Sequence, residues 1–547
     1  MDPFCGSDEG IAKEATKGEN RVFVFDTTLR DGEQAAGSRL DPSEKLGIAR
    51  QLTRLGVDVI EAGFPASSPR DFESVSLIAR EIEGPVICAL SRALPSDIKP
   101  CGEALAGAER GRIHTGLGIS DVHILGKFRD AKYGANLSQK RQHVLEMAIN
   151  AVETARDYVD EVEFYAEDAA RAEGNYLFEV ISGVIGAGAT VINVPDTTGY
   201  AVPGQFGELI HDLSENVSGI EMATVSVHCH NDLGMAVSNT LAGVLNGARQ
   251  VEVTINGIGE RAGNASLEEV VMAMKTRMDY FHAETGVDPR ELYKTSQLVS
   301  RAFGHHIPPN KPIVGSNAFS HSAGIHVDGF LKDRKTYEIM QPEDVGFSRS
   351  RIVLTARSGR HAVRHRLEEL GYRLAPSKID AVYARFIEVA DEVREVPDNA
   401  LMAIVEGEGS SKTYELENLD FSGGIGKPAR ARVEIRTRDG TVHGEARGDG
   451  PVDATYRAIS ETIGMPLNLV DFTISTTGSG TDAIGEATVK LGNHASAIGH
   501  GASTDIVLAS ARAYLDALNR YINLQQNAKP GERFDSGGRD KFGSKPK

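Results

Sequence analysis

Between residue 21 and about residue 275, short apolar runs rich in Val, Ile and Phe alternate with longer stretches whose apolar residues return every three or four positions. The runs are RVFVFD (21–26), VDVIEAG (57–63), PVICAL (85–90), RIHTGLG (112–118), EVEFYAE (161–167), ATVINV (189–194), TVSVHCH (224–230) and VEVTIN (251–256). Runs of this length and β-branched content predict strands, and the intervening three-four spacing, as at Leu46, Ala49 and Leu52, predicts amphipathic helices. Ser266-Leu267-Glu268-Glu269 has the form of a capping box opening a further helix through Val270, Val271 and Met274. Strands alternating with helices imply a parallel sheet, and eight of them predict a closed (β/α)8 TIM barrel over residues 21–280. A doubly wound open sheet is the alternative, but no G-x-G-x-x-G follows the first run.

Beyond the barrel the pattern changes. Residues 281–395 read as a helical accessory region with Pro/Gly loops, including His305-His306-Ile307-Pro308-Pro309. Strand patterns return in ARARVEIRTRDGTVHGEARGDG and VDFTISTTGSGTDAIGEATVKLG, joined by helical patterns at Ala454 to Ile463 and Ser503 to Ile522, so residues 396–523 form a separate α+β domain. Residues 1–20 are a polar extension, and the tail 524–547 is rich in Gly, Pro and charge and is expected to be disordered.

Composition narrows the function. A net charge of −18 over 547 residues argues against a nucleic-acid or anionic-membrane surface, because phosphate attraction needs a basic face. No run of about 18 apolar residues occurs, and the first twenty residues lack a signal-peptide core. Cys5, Cys88, Cys101 and Cys229 are scattered with no CxxC pair, which predicts neither a disulfide framework nor a structural zinc module. A cytoplasmic protein is the expectation.

The chemistry of such a barrel gathers at the C-terminal ends of its strands. Those ends carry Asp26 to Asp31, Glu61, His114, Glu163 and Glu167, Asn193 and Asp196, His228 and His230, and Asn256 and Glu260. In HCHND, His228 and His230 share one face of a strand while Cys229 points the other way. Two imidazoles and a carboxylate make a divalent-metal set with positions open for a substrate oxygen. Spacing alone does not choose between Asp26 and Asp31 as the carboxylate.

FDTTLRDGEQ, GFPASSP, INVPDTTGY, SVHCHNDLG, NGIGERAGNASLEEV and SHSAGIHVDG occur in this order, and over residues 21–523 the chain resembles the 2-isopropylmalate synthase family of acetyl-CoA-condensing synthases. The resemblance implies a divalent metal (Mn, Zn or Mg) on Asp31, His228 and His230, with Asn264 completing the site, and Asp26 in a supporting role. It implies acetyl-CoA and a 2-oxo acid as substrates, Arg30 stabilising the alkoxide formed on condensation, and Thr197 bonding the oxo-acid carboxylate. His114, Gly116, Tyr165 and Asn193 would line the substrate pocket. Glu167 and His326 correspond to the family's acid/base pair, with Tyr337 as a third candidate. The accessory region reaches over a partner's barrel in that family, so a homodimer is expected. The C-terminal domain resembles a regulatory domain for an amino-acid effector, leucine by default, with glycines at 448, 450, 499 and 501 allowing tight turns around it.

Three positions depart from the family. Gly116 stands where an aromatic residue is usual, Tyr165 where a small one is, and Thr198 where valine is. Either the pocket is enlarged for a bulkier 2-oxo acid such as phenylpyruvate, or Tyr165 fills the space left at Gly116; a pocket shortened for pyruvate, as in citramalate synthases, is a third outcome. The glycine loop GERAGNASLEE, feeding a helix, could meet a CoA phosphate. Two other classes remain in view, a barrel lyase, which lacks support because GIGERAGNA has no cysteine, and a non-catalytic amino-acid sensor.

Overall fold

The computed structural model describes residues 20–348, 350–393, 395–406, 413–424, 427–477, 484–492 and 496–527. The expectations for residues 1–19, including Cys5, and for 528–547 lie outside these. The chain divides into two compact units, one comprising residues up to 320 with 338–351, the other 321–337 with 352 onward.

In the first unit eight parallel strands close into a barrel in chain order: β1 (Phe23–Asp26), β2 (Val59–Glu61), β3 (Val86–Arg92), β4 (Gly111–Gly118), β5 (Glu161–Glu167), β6 (Val191–Asp196), β7 (Thr224–Cys229) and β8 (Gln250–Val253). All eight fall on the apolar runs, and β8 pairs with β1 through Phe23↔Gln250 to Asp26↔Val253. The outward residues of these strands, such as Val24, Ile60, Ile113 and Val227, are fully buried against the surrounding helices. That double-sided burial is why the runs read as continuous rather than alternating.

The barrel interior is divided. One side is apolar, with Phe25, Val59, Val86 and Cys88 in contact. The other is a buried polar column in which Arg112 donates to Glu163 (3.0 Å) and Gln250 (2.8 Å), Gln250 donates to Glu163 (2.8 Å) and Ser226 (2.9 Å), and Ser226 donates to Glu252 (3.2 Å). Each polar group is thereby partnered, which burial demands.

The first outer helix, Pro42–Leu55, begins with Asp41 and Glu44 in a reciprocal capping box and ends at Gly56 in a left-handed conformation (φ 87°). The expected capping box at Ser266 does not form: helix Leu267–Thr276 has no side-chain cap, because the Ser266 hydroxyl accepts from Lys311 (2.8 Å) instead. Lys311 also pairs with Glu269 (2.7 Å) and Glu268 (3.3 Å), so the chain's own charges fill this helix start, where the glycine loop suggests a CoA phosphate. Helix Leu292–Phe303, read in the accessory region, packs on the first outer helix, with Gln51 donating to Glu291 (2.8 Å) and Thr295 (2.9 Å).

In the second unit, helices Gly324–Lys332, Arg360–Glu369, Pro376–Ala390 and Asp398–Glu406 share an apolar cluster including Val327, Leu367, Phe386 and Leu401. The C-terminal part repeats three antiparallel strands and a helix twice: Glu415–Gly424, Lys427–Thr437, Gly440–Gly448 and helix Pro451–Ile463, then Leu469–Thr477, Ile484–Gly492, Ser496–Ser503 and helix Ile506–Asn527. Strands Glu415–Gly424 and Ser496–Ser503 lie outside the sequence expectation, being rich in Gly and polar residues. The final helix extends to Asn527, so residues 524–527, assigned to the disordered tail, are helical.

Gly499 and Gly501 do not form turns around a ligand, as expected, but lie within strand Ser496–Ser503. A Cβ at Gly499 would stand 2.1 Å from the Ala517 nitrogen, and one at Gly501 2.1 Å from the Ala509 oxygen. They let the last helix lie directly on the strand. Gly448 likewise ends a strand against Ala454, where a Cβ would come within 2.4 Å of its nitrogen, and Gly450 is the residue before helix Pro451–Ile463.

Candidate active site

The loop after β1 coils at once, Thr27 O accepting from the N–H groups of Arg30 (3.1 Å), Asp31 (2.9 Å) and Gly32 (3.1 Å). This turn brings Asp31 to the end of β7. There His228 and His230 point into the barrel, with Nε2 atoms 3.2 Å apart, and Asp31 Oδ2 lies 3.4 Å from His228 Nε2 and 3.9 Å from His230 Nε2. Cys229, on the opposite face, is fully buried in the outer core, where burial pushes its thiol well up.

The cluster has the character of a cation site. Asp31 Oδ1, His230 Nδ1 and Asn264 Oδ1 are buried polar atoms without hydrogen-bond partners among the described residues, and Asn264 is bridged through its backbone to His230. Burial alone would raise the Asp31 pKa, but Arg30 and the two imidazoles hold its carboxyl well below the usual range. One carboxylate and two imidazole nitrogens directed at one point fit a divalent metal. Asp26 is engaged elsewhere: its carboxylate accepts from Thr28 N (3.0 Å) and Thr28 Oγ1 (2.9 Å), and burial pushes it up to about 7.

The cluster opens into a cavity of about 540 Å³. Arg30 lines it, held by Glu61 (2.7 Å) and Asp31 (3.0 Å), so the loop salt bridge and a cavity position coexist. Burial opposes ionisation of Glu61, but Arg30 and His114 hold its pKa down to about 2. His114 Nδ1 meets Glu61 at 2.9 Å, and its Nε2 faces Asn193 Nδ2 at 3.3 Å, leaving the buried Asn193 Oδ1 without a partner among the described residues. Gly116, Tyr165, Glu167 and Thr197 also line the cavity. Thr197 Oγ1 accepts from Asp168 N (2.9 Å), tying the end of β6 to that of β5.

Residues 21–299 match the HMGL-like family model, 313–394 the homocitrate synthase post-HMGL domain-like model, and 395–522 the LeuA allosteric (dimerisation) domain model. A 2-isopropylmalate synthase of Heliobacterium modesticaldum is 50% identical over 505 residues, covering 92% of this chain and 97% of that one. One from Pyrococcus furiosus is 49% identical over 504 residues, covering 91% and 99%. The chain belongs to the 2-isopropylmalate synthase family.

Against the family pattern, the two pocket departures compensate each other. Gly116 and Tyr165 are register partners on β4 and β5, and a Cβ at Gly116 would meet first the Tyr165 carbonyl oxygen and then, at 2.6 Å, its ring. That ring packs edge-on to His114 (centroids 5.0 Å apart), and its hydroxyl donates to Ser91 O (3.2 Å). The space opened at Gly116 is occupied by Tyr165, so the enlarged pocket is not found.

His326 and Tyr337 lie in the second unit and meet each other, ring centroids 4.4 Å apart. Of the other strand-end residues, Glu260 lines the cavity, whereas Asp196 accepts from Tyr200 N and Ala201 N, and Asn256 bonds Ser296. Sequence reasoning missed Glu252, which meets His228 Nδ1 at 2.9 Å and so turns Nε2 toward the cluster, as the outer partners of metal-bound histidines do. Its signal was present, since Glu252 interrupts the apolar run VEVTIN. His123 and Lys127, both near Glu167, were also missed.

Proposed function

We propose that this chain condenses acetyl-CoA with 2-oxoisovalerate and then hydrolyses the CoA thioester, giving 2-isopropylmalate and free CoA. What carries the reading is the convergence of Arg30, Asp31, Glu167, His228 and His230 on one cavity, in a chain of this family. Asp31, His228 and His230, with Asn264 beside them, would hold a divalent metal (Mn, Zn or Mg). When bound, the metal supplies Lewis-acid polarisation of the 2-oxo carbonyl.

The chain's own groups do the rest. Thr197 hydrogen-bonds the oxo-acid carboxylate, while His114, Asn193 and Tyr165 bound its side chain. Glu167, with His326 and Tyr337 completing the acid/base set, takes a proton from the acetyl methyl. The electron pair left on that carbon forms the bond to the 2-oxo carbon, and the carbonyl pair becomes an alkoxide beside the Arg30 guanidinium before it is protonated. Water then adds to the thioester carbonyl, and CoA leaves as the thiol.

The active form is a homodimer, in which the partner's His326 and the partner's Tyr337 serve each barrel, and leucine acts at the C-terminal domain. The match of residues 395–522 to an allosteric (dimerisation) domain supports a dimer and an effector at that domain. Among the described residues no helix is long and apolar enough to cross a membrane.

Thiol release from acetyl-CoA with 2-oxoisovalerate, pyruvate and phenylpyruvate, with and without a chelator, tests the reading. The highest kcat/KM belongs to 2-oxoisovalerate, and the chelator abolishes it. A preference for pyruvate or phenylpyruvate refutes the substrate assignment. Leucine binding without any turnover would identify a sensor instead.

A further inference from the structure

Glu167 is gripped at one oxygen. Lys127 Nζ lies 2.6 Å from its Oε2 and His123 Nδ1 3.7 Å from the same atom, while no hydrogen bond to Oε1 is present among the described residues. His123 and Lys127 are four residues apart on the short helix Asp121–Lys127, a spacing that puts both on one face. The start of that helix is tied to the residue after Glu167: Ser120 Oγ accepts from His123 N (3.1 Å) and donates to Asp168 Oδ2 (2.5 Å). The close approach of His123 also depends on Gly118, where a Cβ would lie 2.7 Å from His123 Nδ1. His123 Nδ1 is buried without a hydrogen-bond partner among the described residues, so its 3.7 Å approach to Glu167 is electrostatic, and Lys127 lines the cavity with about half its side chain exposed.

We infer that His123 and Lys127 are positioning residues, which hold Glu167 by Oε2 and keep it a carboxylate with Oε1 turned to the substrate methyl. The inference rests on the acid/base reading of Glu167. Burial opposes the charge on Glu167, but His123 and Lys127 outweigh it and lower its pKa. The other groups around it are Tyr165 two residues earlier, Asp168 with its partner Arg171, and Arg30, Glu260 and Arg261 elsewhere on the cavity wall. A base must be ionised to act, so its pKa marks the acidic limb of the pH profile. A neighbouring cation lowers a carboxyl pKa by about 1–3 units, and the half-exposed Lys127 belongs at the lower end.

The test is the pH profile of kcat/KM, by thiol release, for the full-length metal-loaded enzyme. Lys127→Met moves the acidic limb up by about one pH unit, and Lys127→Arg restores it. His123→Gln moves it in the same direction by less. Metal content and the KM for 2-oxoisovalerate stay within about twofold, because neither residue touches the metal cluster. A limb that stays in place in both Lys127→Met and His123→Gln overturns the inference, as does a uniform drop across all pH that Lys127→Arg does not relieve. Glu167→Gln separates this failure from failure of the underlying reading: wild-type turnover in that variant removes Glu167 from the acid/base set and the inference with it.

Discussion

Each histidine of the candidate metal site directs one nitrogen toward Asp31, and for His228 that choice is made by Glu252 at 2.9 Å. Glu252→Leu is expected to lower divalent-metal affinity about 10–100-fold, read by titration of the apoprotein with manganese, because the ring loses the acceptor that fixes its tautomer. Across the cavity, Glu61 illustrates how a buried pair links stability to pH. Its folded pKa of about 2 lies below the ordinary 4.5. The stability it contributes is therefore complete above the unfolded value and is lost as pH falls toward the folded one. Urea unfolding of wild type should weaken between about pH 5 and pH 3 more steeply than that of Glu61→Gln. At Gly116 the prediction is steric. Gly116→Phe in the wild-type background destabilises by about 1–3 kcal/mol through overpacking, and adding Tyr165→Ser recovers in thermal unfolding only the part due to the ring, because the Tyr165 carbonyl oxygen stays against the new Cβ. Additive losses in the double variant would mean that the two side chains do not share one space.

The elements were largely legible, and the exceptions have local causes. All eight barrel strands coincide with apolar runs, because each is buried on its outer face by helices and needs β-branched residues there. The capping box at Asp41 formed where Glu44 reaches back to the Asp41 N–H, whereas the same motif at Ser266 lost its hydroxyl to Lys311, a residue far along the chain. Strand Ser496–Ser503 was hidden by its glycines, which weaken strand propensity but are required where the last helix touches the strand backbone. Gly499→Ala is expected to cost about 1–3 kcal/mol in denaturant unfolding, since the helix must move to admit the methyl group. An unchanged midpoint would show that the helix gives way freely.

At the level of the assembled enzyme, removal of the metal should abolish turnover while leaving the barrel folded. The strands are held by their own ladder and by the apolar outer core rather than by the cluster. Chelation is thus expected to remove thiol release with little change in far-ultraviolet circular dichroism, and added manganese to restore it; unfolding on chelation would assign the cluster a structural role. The sequence alone determined that there is a barrel, that it ends near a helical region and an α+β domain, and that HCHND and RDGEQ supply ligand types. Those features are local, carried by hydrophobic period and residue chemistry over a few positions. Only the tertiary structure placed Asp31, which residue spacing did not separate from Asp26, beside the two histidines, set Tyr165 into the space beside Gly116, joined Glu252 to His228, and brought His123 and Lys127 onto Glu167. Each of those depends on a distance between neighbouring strands or loops, and such distances exist only once the sheet has closed into a barrel and fixed its register.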